Sequence, residues 1–234
     1  MCSPAVVSFV DRVLPSHLVG GRRVLEVGAL DVNGSVRSVV QSRGPAEYIG
    51  VDITSGPGVD AVLPAERLVE HFGPGAFDVV VTTEMLEHVR DWRPVATNLQ
   101  QVLAPGGRLV LTTRSWDFMY HGFPHDYWRW ELDDLRVVFA GLDIAILEPD
   151  PHQPGCFLAA DQPTSPEPRR VPDVSAYKVR NILDGRRVTE ITPAMERTFR
   201  LRRRAVHLVR RSRVKAGRAR LAARRKLTGG SGGA

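Results

Sequence analysis

The chain has 234 residues, 43% hydrophobic and 25% charged, enough for one α/β domain with a proper core and a modest extension. No stretch approaches the roughly 20 uninterrupted apolar residues of a membrane-spanning helix, and two cysteines, Cys2 and Cys156, exclude a disulfide framework or a cysteine metal cluster. The net charge of +6 hides a division: all 26 acidic residues lie at or before Glu196, whereas 197–226 carries 14 Lys and Arg and no acid.

The opening "MCSPAVVSFVDRVL" has no charge ahead of its apolar residues, so it does not read as a secretory signal, and a cytoplasmic location is expected. Ser3-Pro4 is instead a helix opening, cap then first-turn proline, followed by apolar residues at helical spacing up to Pro15. Strand-length apolar runs follow at Arg23–Val27, Glu47–Val51, Val59–Leu63, Phe77–Thr82 and Arg108–Thr113. Between them lie helix candidates at Gly34–Ser42, Ala65–Phe72, Val89–Leu103 and Leu132–Phe139. This alternation predicts a parallel sheet with helices on both faces. After Phe139, "LDIAILEPD" and "PGCFLAA" follow one another without a helix, and so short a link requires antiparallel pairing. The expected organisation is a domain over 1–160, a linker or irregular extension over 161–195, and a basic, helical or disordered tail over 196–234.

The first strand runs into "VLEVGALDVNGS". A dinucleotide loop wants G-x-G-x-x-G, but Leu30 takes the middle glycine's place, and Glu26 and Asp31 would repel a diphosphate. The second strand ends in Asp52, placed to accept both hydroxyls of a ribose. An acidic cradle and a ribose ligand describe S-adenosylmethionine (SAM), a nucleoside with a cationic sulfonium and no phosphate.

"VLEVGALDVNGSV", "YIGVDI", "FDVVVTTEMLEHV" and "LQQVLAPGGRLVLTT", in this order and spacing, resemble class I SAM-dependent methyltransferases, in particular the small soluble type 11-like group. The resemblance covers about residues 22–160. It implies a Rossmann-like seven-stranded mostly parallel sheet with an antiparallel last strand. It also implies that Glu26, Gly28 and Gly34 form the SAM loop, with Gly34 starting the next helix, that Asp52 holds the ribose, and that Thr83, Glu84 and Met85 face the methionine end. The acidic residue that often holds the adenine amino group is replaced by Pro64, leaving Glu66 or Asp60 as substitutes.

Methyl transfer from a sulfonium is an in-line displacement needing alignment and a deprotonated acceptor. The segment "TTRSWDFMYHGFPHDYWRWELDDL" forms the candidate acceptor wall. His121 and His125 are the candidate bases, and Asp126, beside His125, is placed to orient an imidazole or act itself. Those three residues show no evident fourth metal ligand, and no metal centre is expected. The alternative is a structural lid in which Arg129 pairs with an acid; this methyltransferase group often carries a similar P-x-D-x-W-R element. Glu87 and His88 are expected to be structural, starting the helix after the fourth strand.

The leading expectation is therefore a SAM-dependent methyltransferase acting on a small-molecule or glycan-like acceptor, most plausibly at oxygen, because stacked aromatic rings suit such faces. One alternative is an RNA methyltransferase anchored by the basic tail; another is a non-catalytic SAM-fold scaffold recruiting an acidic partner. For the tail itself, contact with an anionic membrane surface or an acidic partner ranks ahead of nucleic acid, since no RNA-binding signature accompanies it.

Overall fold

The computed structural model describes residues 2–122, 125–166, 170–179 and 183–202. Ten strands follow in chain order: β1 (Arg23–Val27), β2 (Glu47–Asp52), β3 (Ala61–Val62), β4 (Phe77–Thr83), β5 (Leu103–Arg114), β6 (Trp128–Arg129), β7 (Asp143–Pro149), β8 (Gly155–Asp161), β9 (Ala176–Lys178) and β10 (Arg187–Val188). The helices are α1 (Pro4–Val13), α2 (Ser16–Val19), α3 (Arg37–Gln41), α4 (Leu68–Phe72), α5 (Trp92–Gln101) and α6 (Leu132–Val138), with short 3-10 turns at Ala65–Arg67 and Leu86–His88.

Seven strands form one sheet in the order β3-β2-β1-β4-β5-β8-β7. The first five are parallel to one another. β8 runs antiparallel to both β5 and β7, as the short connection between 149 and 155 demands. This is the Rossmann-like arrangement expected from the alternation of strands and helices.

Burial on both sheet faces explains the nearly continuous apolar strands. Val24, Val79, Val81, Val110, Phe157 and Ala159 pack on one face against Phe9, Val10 and Val13 of α1. The alternating residues Leu25, Val80, Leu109, Leu111 and Leu158 are equally buried and point the other way. Ser3 begins α1 by accepting the Val6 N–H at 3.3 Å, with Pro4 in the first turn.

One compact unit runs Met1–Ile191. Within 161–195, β9 pairs with β6 and β10 in a second, three-stranded sheet, matching Arg129 with Tyr177 and Trp128 with Lys178. A second unit covers Thr192–Ala234, whose described part is helical over 193–202. The Thr192 hydroxyl accepts the Met195 N–H there. Most of the basic tail, 203–234, lies outside the described residues, as does Pro124. Among the described residues no helix is long and apolar enough to cross a membrane.

Candidate active site

The strand order turns back between β1 and β4, so their carboxyl ends splay apart and open a crevice between the following loops. A pocket lies in it, lined by Cys2, Glu26, Gly28, Leu30, Gly34 and Thr83, with no Lys or Arg among its lining residues. Gly28 adopts φ +80°, and a Cβ there would come within 2.9 Å of the Met85 Cβ and Cγ. Only glycine lets the two loops approach this closely.

Gly34 also needs a positive φ, +107°, but it does not start the helix. It sits in a turn where its N–H donates to Asp31 Oδ1 at 2.8 Å, and α3 begins only at Arg37. The extra loop residues before it require this additional turn. Leu30, which replaces the usual glycine, reaches over Gly56, where an added Cβ would lie 2.4 Å from the leucine Cδ1. A side chain gained on one loop is thus accommodated by one missing on the other.

Asp52, at the end of β2, accepts the Leu30 N–H at 3.3 Å on one oxygen and the Thr54 N–H at 3.0 Å on the other. Glu26 is buried and accepts the Tyr48 hydroxyl at 2.7 Å. Burial raises the Glu26 pKa to about 7, against the lowering pull of Tyr48 and Arg37. Arg37 stacks over the Tyr48 ring and donates to Asp60 at 2.5 Å and to the Gly58 carbonyl at 2.8 Å. Asp60 also accepts the Gly50 N–H at 2.7 Å. Glu66 is exposed in the 3-10 turn after Pro64.

Thr83 ends β4 and meets the Cys2 thiol at 3.3 Å. Cys2 was not singled out as a site residue from sequence; it arrives through the packing of α1, and burial raises its pKa. Glu84 follows with φ 55°, a left-handed conformation uncommon for a non-glycine residue. Its carboxyl accepts the Thr112 hydroxyl at 2.9 Å and pairs with Arg114, which also holds Asp150. Burial first, then the neighbouring Glu87 charge, push Glu84 up to about 8.

Glu87 and His88 lie in a 3-10 turn, and α5 starts only at Trp92. The Glu87 carboxylate does not cap that helix. It accepts the Thr113 hydroxyl at 2.8 Å and turns its other oxygen toward His121 Nε2 at 3.7 Å and His88 Nε2 at 3.9 Å.

Asp126 is fully buried between His121 and Arg129. Its Oδ2 accepts the His121 backbone N–H at 2.9 Å and lies 3.1 Å from His121 Nδ1. Arg129 donates to both carboxylate oxygens, at 2.5 and 2.8 Å. Burial alone would raise the Asp126 pKa, but Arg129 and His121 together pull it well below the usual carboxylate range. This ionised, sequestered group orients His121. The His125 ring stacks with Tyr127 at 5.4 Å, and its backbone carbonyl accepts a hydrogen bond from His88 Nδ1. Arg129 also donates to the Phe118, Met119 and Trp128 carbonyls, tying parts of the wall segment together.

A profile of the methyltransferase domain family matches residues 4–140, more than half of the chain. The chain belongs to that family. Its similarity to the ubiquinone biosynthesis O-methyltransferases of Pseudomonas aeruginosa strain LESB58 is 32% identity over 109 residues, 41% of this chain and 45% of that one. Cronobacter sakazakii has an enzyme of the same name at 33% identity over 106 residues, 40% and 42% of the respective chains. The chain thus spans under half the length of these curated relatives. Among solved structures it resembles a Burkholderia thailandensis 1,6-didemethyltoxoflavin-N1-methyltransferase bound to S-adenosylhomocysteine, with TM-score 0.56 and 17% identity, covering 68% of this chain and 79% of that one. A SAM-dependent methyltransferase from Mesorhizobium loti matches with TM-score 0.51 and 17% identity, covering 68% and 99%. The [4+2]-cyclase SpnF shares the fold equally well, at TM-score 0.51. Fold likeness at such identities leaves the acceptor chemistry to be argued from the site.

Proposed function

We propose that this methyltransferase transfers the SAM methyl group to a hydroxyl oxygen of a small-molecule or glycan-like acceptor. The observation carrying the reading is the pocket at the β1/β4 switch point, whose lining offers the Glu26 carboxyl, the Ser35 and Thr83 hydroxyls, the Cys2 thiol and close backbone but no cationic side chain. Such a lining favours a sulfonium nucleoside over a phosphorylated one. In this reading Asp52 accepts the ribose hydroxyls, and Glu26 faces the cationic amino acid tail. Gly28 and Gly34 shape the loop around it, while Thr83 and Glu84 border the methyl. Of the two candidates for the adenine amino group, Glu66 supports the role better, since Asp60 is engaged by Arg37 and the Gly50 N–H.

The acceptor approaches over the wall of residues 114–130. Its hydroxyl proton leaves toward the imidazoles of His88 and His121, the half-buried edge of the Glu87 cluster. Asp126 holds His121 in position, and His125 contributes its carbonyl. Attack along the sulfur–carbon axis forms the oxygen–carbon bond while the electron pair of the breaking bond returns to sulfur.

Calorimetric titration of SAM and of S-adenosylhomocysteine into wild type and Asp52→Ala tests this. Micromolar binding, weakened at least tenfold in the variant, is expected, followed by a methylated product when hydroxylated acceptors are screened by mass spectrometry. No binding to wild type overturns the reading.

A further inference from the structure

We propose that Glu87, His88 and His121 form a binding site for one first-row divalent transition-metal ion, supported by Asp126 and the His125 carbonyl. The proposal deepens the methyl-transfer reading and rests on it for the ion's role, though the site itself stands on its own geometry.

Three donor atoms converge. The ligating atoms of Glu87, His88 and His121 all lie within 4.8 Å of one another, with Glu87 Oε1 between the two imidazoles. These separations are slightly wider than those around an ion with bonds of roughly 2.0–2.2 Å, and small side-chain rotations close them.

The outer face of each ring is already committed. His121 Nδ1 donates to Asp126, and His88 Nδ1 donates to the His125 carbonyl. Each bond places the proton on Nδ1 and leaves the Nε2 lone pair pointing inward. Carboxylate and carbonyl acceptors behind an imidazole are the outer partners that orient metal-binding histidines.

The inner atoms lack other employment. Among the described residues, buried Glu87 Oε1 and His121 Nε2 have no hydrogen-bond partner, and Glu87 itself is fully buried. A buried carboxylate oxygen left so is costly unless a cation faces it. The nearby buried charges sharpen this. Glu84 and Asp150 share Arg114, and Asp126 has Arg129, but among the described residues Glu87 forms no ion pair with a Lys or Arg. An ion at the centre of the trio supplies the missing positive charge.

The donor set selects the class. Two neutral imidazoles and one carboxylate suit Mn²⁺, Fe²⁺, Co²⁺ or Zn²⁺ better than Mg²⁺ or Ca²⁺, which favour oxygen ligands. Three protein ligands leave coordination positions open, and the half-buried edges of His88 and His121 give access from solvent. The site begins two residues beyond Met85, which packs on Gly28 of the cofactor loop. With the ion bound, the two imidazoles no longer take the proton and the ion replaces them as the activating group: an acceptor hydroxyl bound there would be acidified by it, lose its proton to solvent and attack the sulfonium methyl as an alkoxide. The carbon–sulfur bonding pair then remains on sulfur.

The test uses tag-free, chelator-stripped full-length chain titrated separately with MnCl₂, CoCl₂ and ZnCl₂ by calorimetry, with cobalt ligand-field absorption as a second readout. One ion per chain is expected, with affinity reduced at least tenfold in Glu87→Gln and in His121→Ala, and retained in His125→Ala, which keeps the carbonyl. The half-buried His121 position guards against the case in which Glu87→Gln fails to fold. Absence of ion binding by wild type, or equal binding by wild type and His121→Ala, overturns the proposal. SAM titration of the same samples separates the two readings. SAM binding without metal binding sinks only the metal site, and metal binding without SAM binding sinks only the methyl-transfer reading.

Discussion

The proposed cofactor side and the proposed acceptor side of the crevice are built differently. On the cofactor side, Glu26, Gly28 and Asp52 stand at strand ends, and much of the shape is backbone: a positive φ at Gly28, N–H groups on Asp52, Leu30 seated over Gly56. On the acceptor side, Glu87, His88, His121, Asp126 and Arg129 come from the β4–α5 turn and the β5–β6 connection, and side-chain hydrogen bonds and charges join them. The first region tolerates local change as long as backbone geometry survives. The second stands or falls as a network, because its buried carboxyls lean on their neighbours, Asp126 on Arg129 and His121, Glu87 on Thr113 and two imidazoles.

The largest expected effect follows from that contrast. Arg129→Met removes the guanidinium from a fully buried Asp126 and from three carbonyls, so denaturant unfolding should show a loss of about 3–5 kcal/mol. A loss under about 1 kcal/mol would break the network picture.

Next comes Glu26, on the cofactor side. Its folded carboxyl holds a proton up to about pH 7, whereas the unfolded one releases it near 4.5. The folded state therefore binds more protons across that window, and stability falls as pH rises through it, by on the order of 3 kcal/mol. Glu26→Gln should flatten this slope in pH-dependent unfolding. SAM binding to wild type near pH 6.5 should also release protons, seen as a dependence of calorimetric enthalpy on the buffer, because a cationic ligand lowers the Glu26 pKa. A buffer-independent enthalpy would place the cationic tail elsewhere.

A smaller effect is expected for Gly28→Ala. Positive φ and the close Met85 Cβ make it cost about 1–3 kcal/mol in unfolding experiments. SAM affinity should fall further than stability, since the loop must shift to make room. Tyr48→Phe is the mildest: it deletes one hydrogen bond to Glu26, worth about 1 kcal/mol. It should also move the Glu26 titration upward in carboxyl-resolved NMR, because the hydroxyl lowers that pKa.

Much of the fold was legible because burial on both sheet faces leaves apolar runs of strand length, and a helix-free link between 149 and 155 leaves only antiparallel pairing. Boundaries moved where turns intervened: Gly34 became a turn ahead of α3, and the helix expected from Val89 starts at Trp92. The strands β9 and β10 escaped notice because two or three residues carry no periodicity. At the site, the residues expected to form the cofactor loop lie together, as their strand-end positions required. On the acceptor side Asp126 was expected to orient an imidazole as the neighbour of His125; it meets His121, which in turn meets Glu87, and neither meeting was visible in the sequence. The His125 ring, which the sequence offered alongside His121, stacks with Tyr127.

The sequence by itself determined the alternation of strands and helices, the antiparallel finish, and which carboxylates stand at strand ends, because these follow from local periodicity and turn chemistry. Only the tertiary structure decided which imidazole nitrogen faces which oxygen. That depends on where a segment after β5 folds back over the end of β4, and on hydrogen bonds from Asp126, Arg129 and the His125 carbonyl that fix ring orientation across distances no local pattern records.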